Sequence, residues 1–422
     1  MSTETPARLA LNEARVELLD EEKQPSGLPG SGLKPISNIS APVKALLMGY
    51  YGVGNLGDEM MLFCLKRWLE RQGFDLTVLS ERPAEVSKAH GLPAIENSPL
   101  LGEWAWFNSW FRGGALRVLR AIAQRDALIV GGGDLIRDDL GWRTFFYTME
   151  KFIVAILLRK KVYVVNMGIG QLSTWYGRAL LKWVLGRCDR IIVRDARSEN
   201  VCRQMGVSAQ TALVPDIALS LPDLLRSRGA VSAETPGRPY VVVCLRHNPN
   251  VFPSYEMTEG RIRTLARSLD DLIERRGVDV VFIPLHANSA SGRGDALLHE
   301  RVAAAMLHSA RIHLHAWTAD LDEVCSWIRA AQFVVAMRLH AAVLALSCGR
   351  PSVLMPYDRK VREFGELMAI PHSIEATALD DPDAVTSVLE DAWHDAQNNE
   401  AETGILRQAV SSAWSEVRLT SA

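Results

Sequence analysis

The sequence predicts an α/β protein built from two Rossmann-like halves, and three observations predict it. Short, almost uninterrupted apolar runs such as Ala127–Val130 and Phe333–Ala336 read as strands buried on both faces, the signature of a parallel sheet. Helical segments alternate with these runs. The alternation is interrupted once, between Leu221 and Pro239, by a stretch rich in Pro, Gly, Ser and Arg, and then resumes. Length agrees, because 422 residues outgrow one ordinary core.

Taken in order, residues 1–40 mix Glu, Lys, Pro, Ser and Gly and read as a poorly ordered tail, with a short helix allowed at Leu9–Glu22. The first domain is expected over 41–222. Its strands are Lys44–Met48, Leu76–Leu79, Ala127–Val130, Val162–Asn166 and Arg190–Val193. Between the first two, Glu59–Arg71 carries Met60, Cys64 and Trp68 beside Met61, Leu65 and Leu69 at helical spacing. A linker follows at 223–239.

The second domain, 240–375, repeats the pattern. Strands are expected at Tyr240–Leu245, Val278–Ile283, Ile312–Leu314, Phe333–Ala336 and Pro351–Met355. The helices between them are Gly260–Arg276, Ala296–Leu307, Asp320–Ala330 and Ala341–Cys348. Residues 376–422 are expected to be helical. The two halves are expected to face each other across a cleft.

Composition narrows the function. Charged residues are 23% and the formal charge is −2, so no global attraction to nucleic acid is expected. The cysteines at 64, 188, 202, 244, 325 and 348 form no CxxC pair, which disfavours a zinc site or a disulfide framework and suggests reduced core residues. The apolar run Phe152–Leu158 is stopped by Arg159-Lys160-Lys161, and the first 40 residues hold no apolar signal core. A cytoplasmic protein is the expectation.

Chemistry is signalled most directly at Met337-Arg338-Leu339-His340. This segment follows the strand Phe333–Ala336 and enters the helix Ala341–Cys348. Open α/β sheets collect ligands at such strand ends, and helix amino termini present N–H groups and partial positive charge. An arginine and a histidine two residues apart there fit an anion. Arg194, Arg246 and His286 occupy comparable strand ends, and Tyr357–Arg362 supplies a basic loop with Lys360. A buried ion pair for Arg338, a core histidine for His340 and a solvated charge run for 357–362 are the structural alternatives.

The loop Gly49–Glu59 satisfies GxGxxG through Gly52, Gly54 and Gly57, which on its own suggests a dinucleotide site. Asp58 and Glu59 oppose that reading, because two carboxylates at the helix start repel a pyrophosphate. A helix cap at Asp58 with a tight glycine turn is the structural alternative. The functional one is that Asn55, Asp58 and Glu59 hydrogen-bond the hydroxyls of a sugar. Gly131–Gly133 and Gly168-Ile169-Gly170 also follow strands, where a turn alone explains them. Asp195 after Arg194 is read as an ion pair, a turn cap or a ligand contact.

The order of these motifs resembles the polysaccharide pyruvyl transferase family. It runs GYYGVGNLGDE, VGGGDLIRD, NMGIG, IVRDARS, VPDIAL and VAMRLHAAVLALSCGRPSVLMPYDRKVREF, from Lys44 to Pro371. The resemblance implies a GT-B-like fold and transfer of pyruvate from phosphoenolpyruvate to a pair of sugar hydroxyls, releasing phosphate and closing a cyclic ketal. It implies donor contacts from Arg338, Leu339 and His340 and from an arginine of the first half, for which Arg194 is the candidate. Arg246 and Lys360 are further donor candidates, and Asn55, Asp58, Glu59 and Asp134 are acceptor candidates. His340 is the expected general acid and Asp58, or Glu59, the acceptor of a hydroxyl proton. The implied chemistry requires neither metal nor other cofactor. The partners implied are phosphoenolpyruvate and a saccharide, lipid-linked or free, with membrane association only through that acceptor.

One departure is Asp134, where family members often carry a serine or similar small residue; it suits the acceptor or a pair with Arg137. Rival readings are a GT-B glycosyltransferase using a nucleotide sugar, a dinucleotide-dependent oxidoreductase and a non-enzymatic carbohydrate-binding protein. The stretch Trp104, Trp106, Trp110, Phe111 is read as a buried aromatic cluster, with sugar stacking or a membrane surface as alternatives.

Overall fold

Residues 41–100, 113–138, 141–170, 172–226, 236–247, 255–287, 294–396, 410 and 412–419 are described by the computed structural model. The N-terminal 40 residues, the aromatic stretch Trp104–Phe111 and positions 227–235 of the expected linker lie outside the described residues. The described chain divides into two compact units. One takes the residues up to Val53, Met61–Ile217 and the C-terminal segment; the other takes Gly54–Met60 and the chain from Ala218 through the helix that ends at Ala396.

The first unit holds seven parallel strands. In chain order its elements begin β1 (Val43–Met48), α1 (Leu56–Arg71, whose first five residues belong to the second unit), β2 (Phe74–Ser80), α2 (Pro83–His90), β3 (Ala94–Glu96), α3 (Gly114–Ala123) and β4 (Ala127–Gly131). They continue with α4 (Trp142–Leu157), β5 (Lys161–Met167), α5 (Trp175–Leu185), β6 (Arg190–Val193), α6 (Ala196–Gln204) and β7 (Thr211–Leu213). The spatial order is β3-β2-β1-β4-β5-β6-β7, with Leu47 of β1 level with Val78 of β2 and Ile129 of β4. Leu46, Val130 and Val164 of the strands cluster with Phe145, Met149 and Phe152 of α4 and with Leu181 and Val184 of α5. Each such side chain, fully buried, contributes about 1.5–3 kcal/mol, which is why the strands read as apolar runs.

The second unit begins with α7 (Leu221–Arg226) and β8 (Tyr240–Cys244), followed by α8 (Glu259–Arg276), β9 (Asp279–Phe282), α9 (Ala296–Ala305) and β10 (Ile312–Leu314). It continues through α10 (Leu321–Ala330), β11 (Val334–Ala336), α11 (Leu339–Ser347), β12 (Ser352–Leu354), α12 (Arg359–Leu367), β13 (His372–Ser373) and α13 (Pro382–Ala396). Its six strands are parallel in the order β10-β9-β8-β11-β12-β13.

Both orders are those of a doubly wound sheet. The direction of winding reverses between β1 and β4 in the first sheet and between β8 and β11 in the second. Ligands of open α/β sheets bind outside the carboxyl ends of the strands at that reversal. The loops that matter are therefore those after β1, β4, β8 and β11.

Two helix starts differ from expectation for local reasons. Helix α1 begins at Leu56 rather than Glu59 because Asn55 caps it. Its side-chain Oδ1 accepts the Gly57 N–H at 3.3 Å, and its carbonyl accepts those of Asp58 and Glu59 at 3.1 Å. Helix α11 begins at Leu339 rather than Ala341, so His340 lies inside its first turn. Asp195 caps α6, its carboxylate accepting the Ser198 N–H at 2.8 Å and hydroxyl at 2.7 Å. All six cysteines are free and buried. No helix among the described residues is long and apolar enough to cross a membrane.

Candidate functional site

In the second unit the reversal between β8 and β11 gathers the cationic residues. Arg338 follows β11 in an extended conformation and heads α11 without a side-chain cap, so no capping oxygen offsets the positive end of that helix. Its guanidinium turns to Asp295, just ahead of α9. Nε reaches Oδ2 at 2.6 Å and Nη2 reaches Oδ1 at 2.5 Å, a two-pronged pair that fixes the plane of the arginine. Asp295 is fully buried and also accepts the Leu285 N–H at 3.2 Å. Burial works against the charge on Arg338, but Asp295 outweighs it and the pKa lies above its usual value. Nη1 is the guanidinium nitrogen that Asp295 leaves to another partner.

His299 lies one turn into α9. Its Nε2 accepts the Leu245 N–H at 3.0 Å, and burial pushes its pKa down to about 4. It is neutral at physiological pH and ties β8 to α9.

His340 is half-buried and meets the amino end of α1. A β-carbon on Gly57 would sit 2.1 Å from its Nδ1, so the imidazole fills the space a side chain there would need. Backbone bonds dock the loop before α1: Leu56 N–H donates to Leu285 O and Ala287 N–H to Gly54 O, both at 2.8 Å. Asn55 and His286 pair as an isolated antiparallel bridge between them. The Asn55 amide donates to Asp58 Oδ2 at 2.5 Å. Asp58 and Glu59 are each 5% exposed, and the Asp58 carboxylate adds to the field that keeps Arg338 charged. Burial, then the charge of Arg338, holds the pKa of His286 below its usual value.

Arg338, His340, Asn55, Asp58 and Glu59 are thus brought together within one unit, although some 280 residues of sequence separate the two groups. Leu339 between the arginine and the histidine is buried. Beside β8 and β11 lies a cavity of about 300 Å³ lined in part by Arg246, His247, Leu298, Arg301, Met337 and Tyr357. Arg246 donates from Nη1 to the Tyr357 hydroxyl and lies 4.7 Å from the centre of that ring. Burial and then Arg301 hold the pKa of His247 below its usual value. Lys360 sits in the first turn of α12, its ammonium 3.9 Å from Asp358.

The remaining candidates belong to the first unit. Arg194, 8% exposed, donates to Asp216 at 3.0 Å and lies 3.9 Å from Asp134. Burial opposes its charge, and Asp216 and then Asp134 outweigh it, raising its pKa. Asp134 is also 3.9 Å from Arg137 and presses against Gly168, where a β-carbon would come within 2.0 Å of its carboxylate oxygen. Asn166 donates to the other oxygen of Asp216 at 3.3 Å from a left-handed backbone conformation (φ 55°). That conformation is unfavourable for a side-chain-bearing residue and is held here by a completely buried amide.

Asp295 and Tyr357 are among the residues that sequence reasoning left without a role, with His299 and Arg301. Asp295 had one faint signal, an acidic residue immediately ahead of an expected helix. Its bidentate grip on Arg338 depends on the β9–β8–β11 adjacency, which only the fold supplies.

A GT-B-like α/β protein with an arginine–histidine pair at a switch-point strand end is the class these features define. The chain belongs to the polysaccharide pyruvyl transferase family, whose model matches residues 55–359. It is accordingly a transferase of polysaccharide modification. It is similar to the amylovoran biosynthesis protein AmsJ of Erwinia amylovora, 21% identical over 368 residues, covering 75% of this chain and 84% of that one. Among solved structures it resembles the UDP-GlcNAc 2-epimerase of Methanocaldococcus jannaschii, with TM-score 0.57 and 12% identity over 89% of this chain and 99% of that one. The UDP-GlcNAc 2-epimerase of Neisseria meningitidis bound to UDP-GlcNAc gives TM-score 0.58 and 10% identity over 89% and 100%. At such identity the likeness is one of fold.

Proposed function

We propose that this chain transfers pyruvate from phosphoenolpyruvate to a pair of hydroxyls on a sugar of a surface or extracellular polysaccharide, or on its lipid-linked precursor. The observation that carries the reading is the convergence of Arg338, held by Asp295, and His340, seated on Gly57, at the amino end of α11. Phosphoenolpyruvate places a carboxylate and a phosphate on one three-carbon skeleton. A fixed guanidinium, an uncapped helix start and a nearby cavity lined by Arg246 and Arg301 suit a compact, doubly acidic ligand.

The chemistry assigns each residue a task. His340 delivers a proton to the methylene carbon of the donor, and C2 becomes electrophilic. A sugar hydroxyl adds to C2 and loses its proton, for which Asp58 beside Asn55 is the base candidate and Glu59 the next. The second hydroxyl then bonds to C2 as the C2–O bond to phosphate breaks, and its proton leaves with the phosphate. Phosphate leaves, and a cyclic ketal with a new methyl group remains. Arg338 and Arg246 hold the charge of the departing phosphate, and Lys360 extends that basic surface. Proton transfer by one placed histidine accounts for about 10²–10⁴-fold of rate. Because phosphoenolpyruvate is a cytoplasmic metabolite, the reading carries a cytoplasmic location, at the inner face of the membrane where the acceptor is lipid-linked.

The test is turnover in deuterium oxide with phosphoenolpyruvate and a panel of sugar acceptors, followed by mass spectrometry. A ketal whose methyl group carries one deuterium supports the reading. Consumption of a nucleotide sugar, with phosphoenolpyruvate untouched, contradicts it.

A further inference from the structure

Among the described residues only four Trp, Tyr or Phe side chains are exposed: Tyr50 at 44%, Trp142 at 54%, Trp175 at 75% and Tyr176 at 51%. All four belong to the first unit and follow the carboxyl end of a strand. Tyr50 comes after β1, Trp142 after β4, and Trp175 and Tyr176 after β5. Large aromatic residues ordinarily bury most of their surface, so their concentration on one sheet rim calls for a ligand.

The rim is built rather than loose. The Asp138 carboxylate accepts the Ser173 N–H at 2.9 Å, the Thr174 N–H at 3.1 Å, and both hydroxyls at 3.0 and 3.1 Å. Its carbonyl accepts the Gly141 N–H at 3.0 Å, and Ile136 bridges to Ile169. Thr174 in turn caps α5. Trp142 is the residue after Gly141 and Trp175 the residue after Thr174, so one aspartate fixes the two helix starts that carry the indoles. Trp175 and Tyr176 stand edge to face, with ring centres 5.9 Å apart, and Arg143 lies 5.9 Å from the Trp142 ring.

We propose that Trp142, Trp175 and Tyr176 form a stacking platform for a saccharide, the part of the acceptor glycan beyond the sugar that reacts. The proposal rests on the saccharide-modifying reading of the family. Flat rings on rigid helix starts present apolar faces to the C–H faces of pyranoses, while the arginines offer polar partners at the edge. A lipid surface suits the rim less well. Anionic membranes hold clusters of roughly four to eight basic residues. Here Arg137, Arg143 and Arg178 share the rim with the carboxylates of Asp134 and Asp138.

The test uses the full chain on a printed array of bacterial surface glycans, with sedimentation on phosphatidylglycerol vesicles run in parallel. Wild type should be retained on at least one glycan, and Trp142→Ala/Trp175→Ala should weaken that retention about tenfold or more, in keeping with the loss of two stacking faces. Trp175→Phe should retain most of the binding. Circular dichroism checks that these surface changes leave the fold intact. Equal retention of variant and wild type, retention on no glycan, or aromatic-dependent binding to vesicles alone overturns the proposal. The array needs no donor and no turnover, so the platform and the pyruvyl-transfer reading can fail separately.

Discussion

The imidazole of His340 occupies the space that a side chain at residue 57 would require, 2.1 Å from where the β-carbon would be. Gly57 lies in the first turn of α1, where alanine is favoured over glycine by about 1 kcal/mol. Against that gain, overpacking the imidazole costs about 1–3 kcal/mol, so Gly57→Ala should lower the melting temperature by a few degrees at most while pushing the ring aside. Displacing a reacting group by about 1 Å costs on the order of 100-fold in rate. Comparing thermal unfolding with ketal formation for this variant separates the two effects. Full activity would mean that the position of His340 does not matter.

In the proposed reaction Asp295 acts on the donor through Arg338. Asp295→Asn keeps the shape but removes the charge that meets a guanidinium only 12% exposed. Removing one partner of a buried pair costs about 3–5 kcal/mol. Urea unfolding should show that loss, and the apparent affinity for phosphoenolpyruvate should fall more than the affinity for the acceptor. Equal loss of both affinities would point to general damage instead.

His299 makes stability depend on pH in a defined window. Burial holds its folded-state pKa at about 4, against roughly 6.5 in the unfolded chain. Between these values the unfolded chain binds a proton that the folded chain does not, so stability falls as pH drops from about 6.5 to about 4. The full shift corresponds to roughly 3 kcal/mol. His299→Gln keeps an acceptor for the Leu245 N–H but cannot titrate. Denaturant midpoints across this window should lose that slope in the variant.

Much of this architecture was legible from residue patterns, and the exceptions share a cause. Strands buried on both faces, such as β4 and β8, announced themselves as apolar runs. Three of the four edge strands, β3, β7 and β13, did not, being two or three residues long and half-exposed; β10, equally short, was legible where Ile312 and Leu314 flank His313. At the candidate site, the placement of Arg338 and His340 at one strand-to-helix junction was readable from the apolar run before them. Their partners were not. Asp295 and Gly57 are distant in sequence and meet these residues only through strand order and loop docking. The glycine loop's purpose also shifted: beyond permitting a turn, Gly57 makes room for a histidine.

In the proposed reaction Arg338 holds phosphoenolpyruvate for pyruvyl transfer. The direct measurement is acceptor-dependent phosphate release from phosphoenolpyruvate, comparing wild type with Arg338→Ala. Wild type should release phosphate in the presence of a sugar acceptor, and the variant should lose at least about 100-fold of that rate, the scale of removing one transition-state contact. Undiminished release by Arg338→Ala, or a wild type that releases no phosphate while consuming a nucleotide sugar, would contradict it.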